Sequence, residues 1–259
     1  MPRSLTLFML VVGCGWILWQ IQRTKSGGPL PKIRKIAAIE AIPEVIGRAV
    51  EMGRPVHFTS GVGKIDDEFA PQTIAATEIL SHISKLCADY DAEIVTTVAP
   101  ALVLPIQEDA MRAGYTMAGK PENFSPDQIR FASETQMAYA SAAVGFITRE
   151  KAAANIMIGA FYGETMLIAE AGVHAGAVQI MGTVRMYQLM FMAVVADYLL
   201  IGEEMFAAGA YIAQDRVRLG AVKGQDHIKV ALIAILVVAF LGAVAGNTLI
   251  LDLLKKYGN

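Results

Sequence analysis

Cysteine, histidine and charge are all scarce in this sequence, and each scarcity excludes something. Two cysteines in 259 residues, Cys14 and Cys87, cannot build a disulfide framework, and a reducing compartment suits them. The four histidines, His57, His82, His174 and His227, are scattered without HExxH spacing, and no CxxC accompanies them, so zinc has no ligand set. No GxSxG elbow occurs, and no serine or cysteine has a recognisable nucleophile setting. Charged residues make up 18% of the chain against about 25% in an average soluble protein. With a net charge of -2 there is no broad basic field, which argues against nucleic acid as a partner. What the chain has in excess is apolar residues, 54% of the total, and they gather in uncharged runs that point to lipid.

The first run, Leu5 to Ile21, would make a helix of about 25 Å, with Trp16 and Trp19 placed as an interfacial belt. A cleaved signal peptide competes with this reading, and Leu10 to Cys14 faintly resembles a lipoprotein cleavage box. The apolar run continues past that box through Trp19, so we expect a retained N-terminal transmembrane helix over 1–22. Arg23, Lys25, Lys32, Arg34 and Lys35 follow it, and by the positive-inside rule they keep the next region in the cytoplasm. The same cations could touch anionic lipid heads or simply set orientation. Val230 to Leu251, uncharged and about 33 Å long as a helix, matches a bilayer core and is expected to be a second span. Both termini would then face outward, with 252–259 as a tail. Gly242 and Gly246 form a GxxxG pair suited to helix association.

Between these ends, the breaker cluster Ser26 to Pro31 closes a linker over 23–31, and 32–229 reads as a cytoplasmic α/β domain. Apolar residues from Ile33 to Val50 recur at helical spacing, interrupted by Pro43. Val56 to Ser60 reads as a strand, Pro71 to Ala88 as a helix, Ile94 to Val98 as a strand, and Ala101 to Ala118 as a helix. Pro126 through Ala143 is expected to be helical. Asn155 to Ala160, Ala177 to Gly182 and Phe191 to Ile201 read as strands buried on both faces, with helices at Glu164 to Ala171 and Glu203 to Ala213. The fold class is therefore α/β: a mainly parallel, Rossmann-like sheet flanked by helices, with one transmembrane helix at each end of the chain.

Two sets of residues could carry chemistry. The loop Gly61-Val62-Gly63-Lys64 lies at a strand-to-helix turn, where Gly61 and Gly63 could offer amides to an anion and Lys64 a charge. It lacks the Ser or Thr of a Walker loop at Ile65 and the third glycine of a dinucleotide loop at Asp66, and a plain tight turn explains it as well. Glu164, Glu170, Glu203 and Glu204 could converge at strand ends and hold Mg²⁺ through carboxylate oxygens, although acids at helix starts also complement the dipole. Asp197 sits inside an apolar run and needs a partner, Arg185 being one candidate. Neither set defines a catalytic group, and no cofactor is implied.

The phrases HFTSGVG, MRAGYTMAGKPENF, FYGETMLIAEAG, DYLLIGEEMFAAGAYI and GAVKGQD resemble a family of prokaryotic membrane-anchored proteins known only as a domain of unknown function, over most of Ile36 to Asp226. That resemblance implies the fold and the membrane attachment and carries over no site residue. The expected function is a non-catalytic membrane assembly or scaffold protein, whose partners are the bilayer and copies of itself or other membrane-complex subunits. A tethered domain binding a small molecule, nucleotide or divalent cation is the alternative. A transporter is a weaker third, because two uncharged spans offer no polar path.

Overall fold

The strands are β1 (Val56–Gly61), β2 (Ile94–Val98), β3 (Ile129–Phe131), β4 (Ala154–Ala160), β5 (Val178–Thr183) and β6 (Tyr198–Ile201). All pair in parallel in the order β3-β2-β1-β4-β5-β6, so the direction of winding reverses between β1 and β4. The helices are α1 (Ser4–Lys25), α2 (Ala37–Met52), α3 (Ala70–Tyr90), α4 (Leu104–Met117), α5 (Gln136–Glu150), α6 (Glu164–Ala175), α7 (Met186–Val195), α8 (Glu204–Ala213) and α9 (Arg216–Val244). This computed structural model describes residues 4–28 and 34–244. The chain divides into two compact units, Arg34–Ile212 and the joined flanks Met1–Ile33 and Ala213–Asn259.

The α/β unit is built as its periodicity dictates. Along β4, Ile156 and Ile158 point to one face and Asn155 and Met157 to the other, the two-residue alternation of a strand. One face packs on α2, α3, α4 and α8 through Ile42, Ile46, Ile79, Ile83, Met111 and Met205. The other packs on α5, α6 and α7 through Ala143, Phe146, Ile168 and Met192. Each large side chain so buried stabilises by about 1.5–3 kcal/mol. α2 keeps Pro43 within its second turn and ends at Gly53, whose left-handed backbone lets the Gly53 and Arg54 amides close on Val50 and Ala49.

Three expectations are corrected here. Phe191 to Ile201 is not one strand: the chain is helical to Val195 and only Tyr198–Ile201 extends, because an eleven-residue apolar run exceeds what a short strand needs. Pro126 to Ala143 is not one helix. A 3-10 turn at Pro126–Gln128 leads into β3, and α5 begins only at Gln136. Finally, where a span was expected at each end, among the described residues only Arg216–Val244 is long and apolar enough to cross a bilayer. α1 is helical as expected, but Gln20, Gln22, Arg23 and Lys25 dilute its last turns.

In the flanking unit α1 and α9 run antiparallel. Gly13 faces Ile228, Ile17 faces Gly224, and Ile21 faces Gly220, numbers rising on one helix as they fall on the other. The seam is small-residue packing: a Cβ on Gly220 would lie 2.9 Å from the Ile21 Cα, and one on Gly224 3.1 Å from the Ile17 Cα. Gly220 and Gly224 are thus the GxxxG pair of this contact. Of the pair read from the sequence, Gly242 lies on α9 and Gly246 lies outside the described residues. Gln20 reaches across to His227, Nε2 to Nδ1 at 2.9 Å, and Thr24 turns its hydroxyl to the Gln20 carbonyl.

Replacing Gly220 by leucine should separate the two helices, overpacking of this kind costing about 1–3 kcal/mol. With Cys14→Ser as background, a Gly13→Cys/Ile228→Cys pair should crosslink under mild oxidation. Adding Gly220→Leu should abolish that crosslink, and Gly220→Ala should weaken it less.

Candidate functional site

Parallel sheets of this order hold ligands outside the carboxyl ends of the strands, where the winding reverses. Here that place lies between the loop after β1 and the loop after β4, and its backbones are in close contact. Gly61 has φ 77° and a Cβ there would meet the Ala160 carbonyl oxygen at 2.1 Å; Gly159 is held in the same way against the Ser60 carbonyl at 2.2 Å. Gly63 is pressed by the Thr73 Oγ1 and Ala160. Three amides of the turn have protein acceptors. Val62 donates to the Ala160 carbonyl at 2.9 Å, Lys64 to Asp67 Oδ2 at 3.2 Å, and Phe69 to Asp67 Oδ1 at 2.7 Å. Above the loop, the Arg185 guanidinium lies 3.9 Å from the Tyr162 ring centre and 4.7 Å from that of Phe69, and the two rings meet edge to face. The Gly61 to Lys64 turn is thus held against β4, with the Lys64 side chain exposed.

The four glutamates are dispersed. Glu164 is fully buried at the start of α6, where it accepts from the Tyr162 amide at 3.0 Å and from the Gln136 side chain. Glu170 is exposed on the same helix and stands 3.6 Å from His174. Glu204 pairs with Arg34 at 2.5 Å and accepts the Ile201 amide, next to Glu203 at the start of α8. Among the described residues no three His, Cys, Asp or Glu side chains stand close enough to share a metal ion. Asp197 finds its partner in the backbone of β5, accepting from the Gln179 amide at 2.7 Å, while Arg185 stacks on aromatic rings instead. A shallow pocket of about 240 Å³ lies at the opposite edge of the sheet, lined by Cys87, Asp91, Glu93, Tyr115 and Gln128 among others.

The most connected polar feature was not legible as a site. His57, Asn155 and Gln179 occupy matching positions on β1, β4 and β5, all buried, and join in one row across the sheet. Asn155 Nδ2 donates to Gln179 Oε1 at 3.0 Å, so its Oδ1 accepts from His57 Nδ1–H at 2.9 Å. That tautomer leaves His57 Nε2 to accept from the Thr97 hydroxyl at 2.9 Å. Gln179 completes the row by donating to the Ala169 carbonyl at 3.0 Å. Beside it, Thr59 donates to the Thr97 carbonyl and accepts from the buried Tyr139 hydroxyl, whose pKa burial raises. Every hydrogen bond in the row points the same way, an arrangement that fixes strand register, and no member reaches solvent. The signal was a polar residue at the second place of three apolar strands, VHFTS, ANIMI and VQIMG.

Burial lowers the His57 pKa from 6.5 to about 4. The unfolded chain takes up this proton below about pH 6.5 while the folded chain refuses it until about pH 4, so stability is full above that window and falls as pH drops through it. The loss from this one group should be about 3 kcal/mol. Denaturant unfolding of the full chain in mild detergent should show this slope between pH 6.5 and 4. His57→Gln should unfold more easily at neutral pH and lack this contribution to the slope.

No curated protein and no solved structure shows a match to this chain. One family profile does, described as a domain of unknown function, DUF6754, and it matches residues 1–254. Helix pair, sheet and polar row all fall within that match, and the chain belongs to this uncharacterised family.

Proposed function

We propose that this protein is a non-catalytic, membrane-anchored assembly protein that associates with copies of itself through α7 and the neighbouring edge of the sheet. The carrying observation is α7. Its ten residues are apolar apart from Gln188 and Tyr187, and only Leu189 and Met192 are buried. Tyr187 and Val194 are each 83% exposed, and Met186, Met190 and Phe191 stand out beside them. These five side chains present on the order of 600 Å² of apolar surface, near the roughly 800 Å² each partner contributes to a stable interface. β6, next in the chain, is the last strand of the sheet, and among the described residues its outer edge has no strand partner. Methionine suits such a face because it repacks readily against a partner.

Anchoring favours the same reading. α9 crosses the bilayer and α1, seated along it, enters the membrane beside it; the cations after α1 hold the α/β unit on the cytoplasmic side. Confinement to one plane raises the effective concentration of copies, so a modest interface suffices. The alternative, a ligand-binding domain, draws less support, because the Gly61, Val62 and Lys64 amides of the loop already have partners within the protein.

Crosslinking in native membranes should trap dimers or larger species of the full chain. Tyr187→Asp with Val194→Asp should reduce them at least tenfold without lowering thermal stability, since both side chains are exposed. Wild-type protein that gives only monomer would refute the proposal.

A further inference from the structure

Three loops meet over the carboxyl ends of neighbouring strands: Phe69 follows β1, Tyr162 follows β4 and Arg185 follows β5. The Arg185 guanidinium lies over both rings, 3.9 Å from the centre of Tyr162 and 4.7 Å from that of Phe69. Stacking of this kind fixes an arginine in place before any ligand arrives. It covers the faces of the guanidinium plane, whereas the five N–H groups point outward within that plane. Among the described residues those five have no acceptor: the hydrogen bonds of Arg185 are made by its backbone, the amide to Thr183 Oγ1 and the carbonyl from the Leu189 amide. The side chain is half-buried, so the fork is held and open.

The acids of these loops do not pair with it. Asp67 accepts the Lys64 and Phe69 amides, Glu164 at the start of α6 accepts the Tyr162 amide and the Gln136 side chain, and Asp66 and Glu68 are exposed. Further donors lie beside the fork. Arg185 is the N-cap of α7, whose first turn holds no acid, and among the described residues the Met186, Tyr187 and Gln188 amides have no acceptor. The Tyr162 hydroxyl, on the ring that the guanidinium covers, has none either among those residues.

We propose that Arg185 anchors a binding site for the phosphate group of a small molecule, beside the reversal of winding, with the first turn of α7 as its second source of donors. A guanidinium fork bonds two oxygens of an anion at once. Those are all the oxygens that a carboxylate has, whereas a phosphate keeps a third for the helix amides and brings the greater charge to the positive end of α7. The Gly61 to Lys64 turn takes no part, its Gly61, Val62 and Lys64 amides being engaged within the protein.

This site rests neither on self-association nor on membrane attachment. Calorimetric titration of the full chain in a maltoside detergent with inorganic phosphate, against sodium chloride at equal ionic strength, should give one saturable site per chain with a dissociation constant of about 1 mM or below. Acetate should bind at least fivefold more weakly. Arg185→Lys keeps the charge and loses the fork, and it should weaken phosphate at least fivefold; Arg185→Gln should abolish the saturable signal. Both variants are compared only where their circular dichroism matches wild type. In wild-type protein, saturating phosphate should slow phenylglyoxal modification of Arg185, read by mass spectrometry, at least threefold relative to chloride, and this protection decides alone if neither variant folds. The site is overturned by a titration that does not saturate below about 10 mM phosphate. Acetate binding as tightly as phosphate, unchanged affinity in a folded variant, or modification that phosphate does not slow would each overturn it as well.

Discussion

The α/β unit depends on one contact, the approach of β1 to β4 where the winding of the sheet reverses. At their carboxyl ends Gly61 and Gly159 let the two backbones close to a distance that no side chain would permit. Four residues earlier on each strand, His57 and Asn155 hold the same strands in register from within the core. From this line α3 leaves to one face of the sheet and α6 to the other, which creates both hydrophobic layers. The contact also decides what the reversal can offer a ligand. The glycines and amides that in other such sheets face a phosphate are here joined to the neighbouring strand and to Asp67, under a stack of Phe69, Tyr162 and Arg185.

A core this polar needs a reason, because every buried donor or acceptor left unpaired costs about 1–3 kcal/mol. The row from Thr97 to Gln179 meets that condition by complete pairing in one direction. A slip of one residue between β1 and β4 would leave His57 and Asn155 both without partners, so the row penalises the wrong register more than it rewards the right one. The joined helices α1 and α9 use a different device, glycine against isoleucine, which lets the two backbones approach closely.

Much of this was legible from residue order. β1, β2, β4 and β5 announced themselves as short, mainly apolar runs, and α3, α4, α6 and α8 as helical stretches between or after them. What escaped did so for physical reasons. β3 is only Ile129–Phe131, too short for alternation to register, and it is defined by pairing with β2 rather than by its own composition. α7 is apolar on all sides, so period could not separate it from β6; the face that misled is the one left exposed. The GxxxG pair at Gly242 and Gly246 drew notice because its surroundings are apolar, whereas Gly220 and Gly224, which make the contact, lie among lysines and arginines. His57, Asn155 and Gln179 each looked like an isolated polar residue, and only the strand order makes them neighbours.

The proposal that association rather than a reaction organises this molecule rests on an exposed apolar helix, α7, in the α/β unit. The mass of the particle extracted in mild detergent, corrected for bound detergent, tests this most directly. The account predicts a whole-number multiple, two or more, of the 27.8 kDa chain. A particle of one chain at every concentration and in every mild detergent would contradict it.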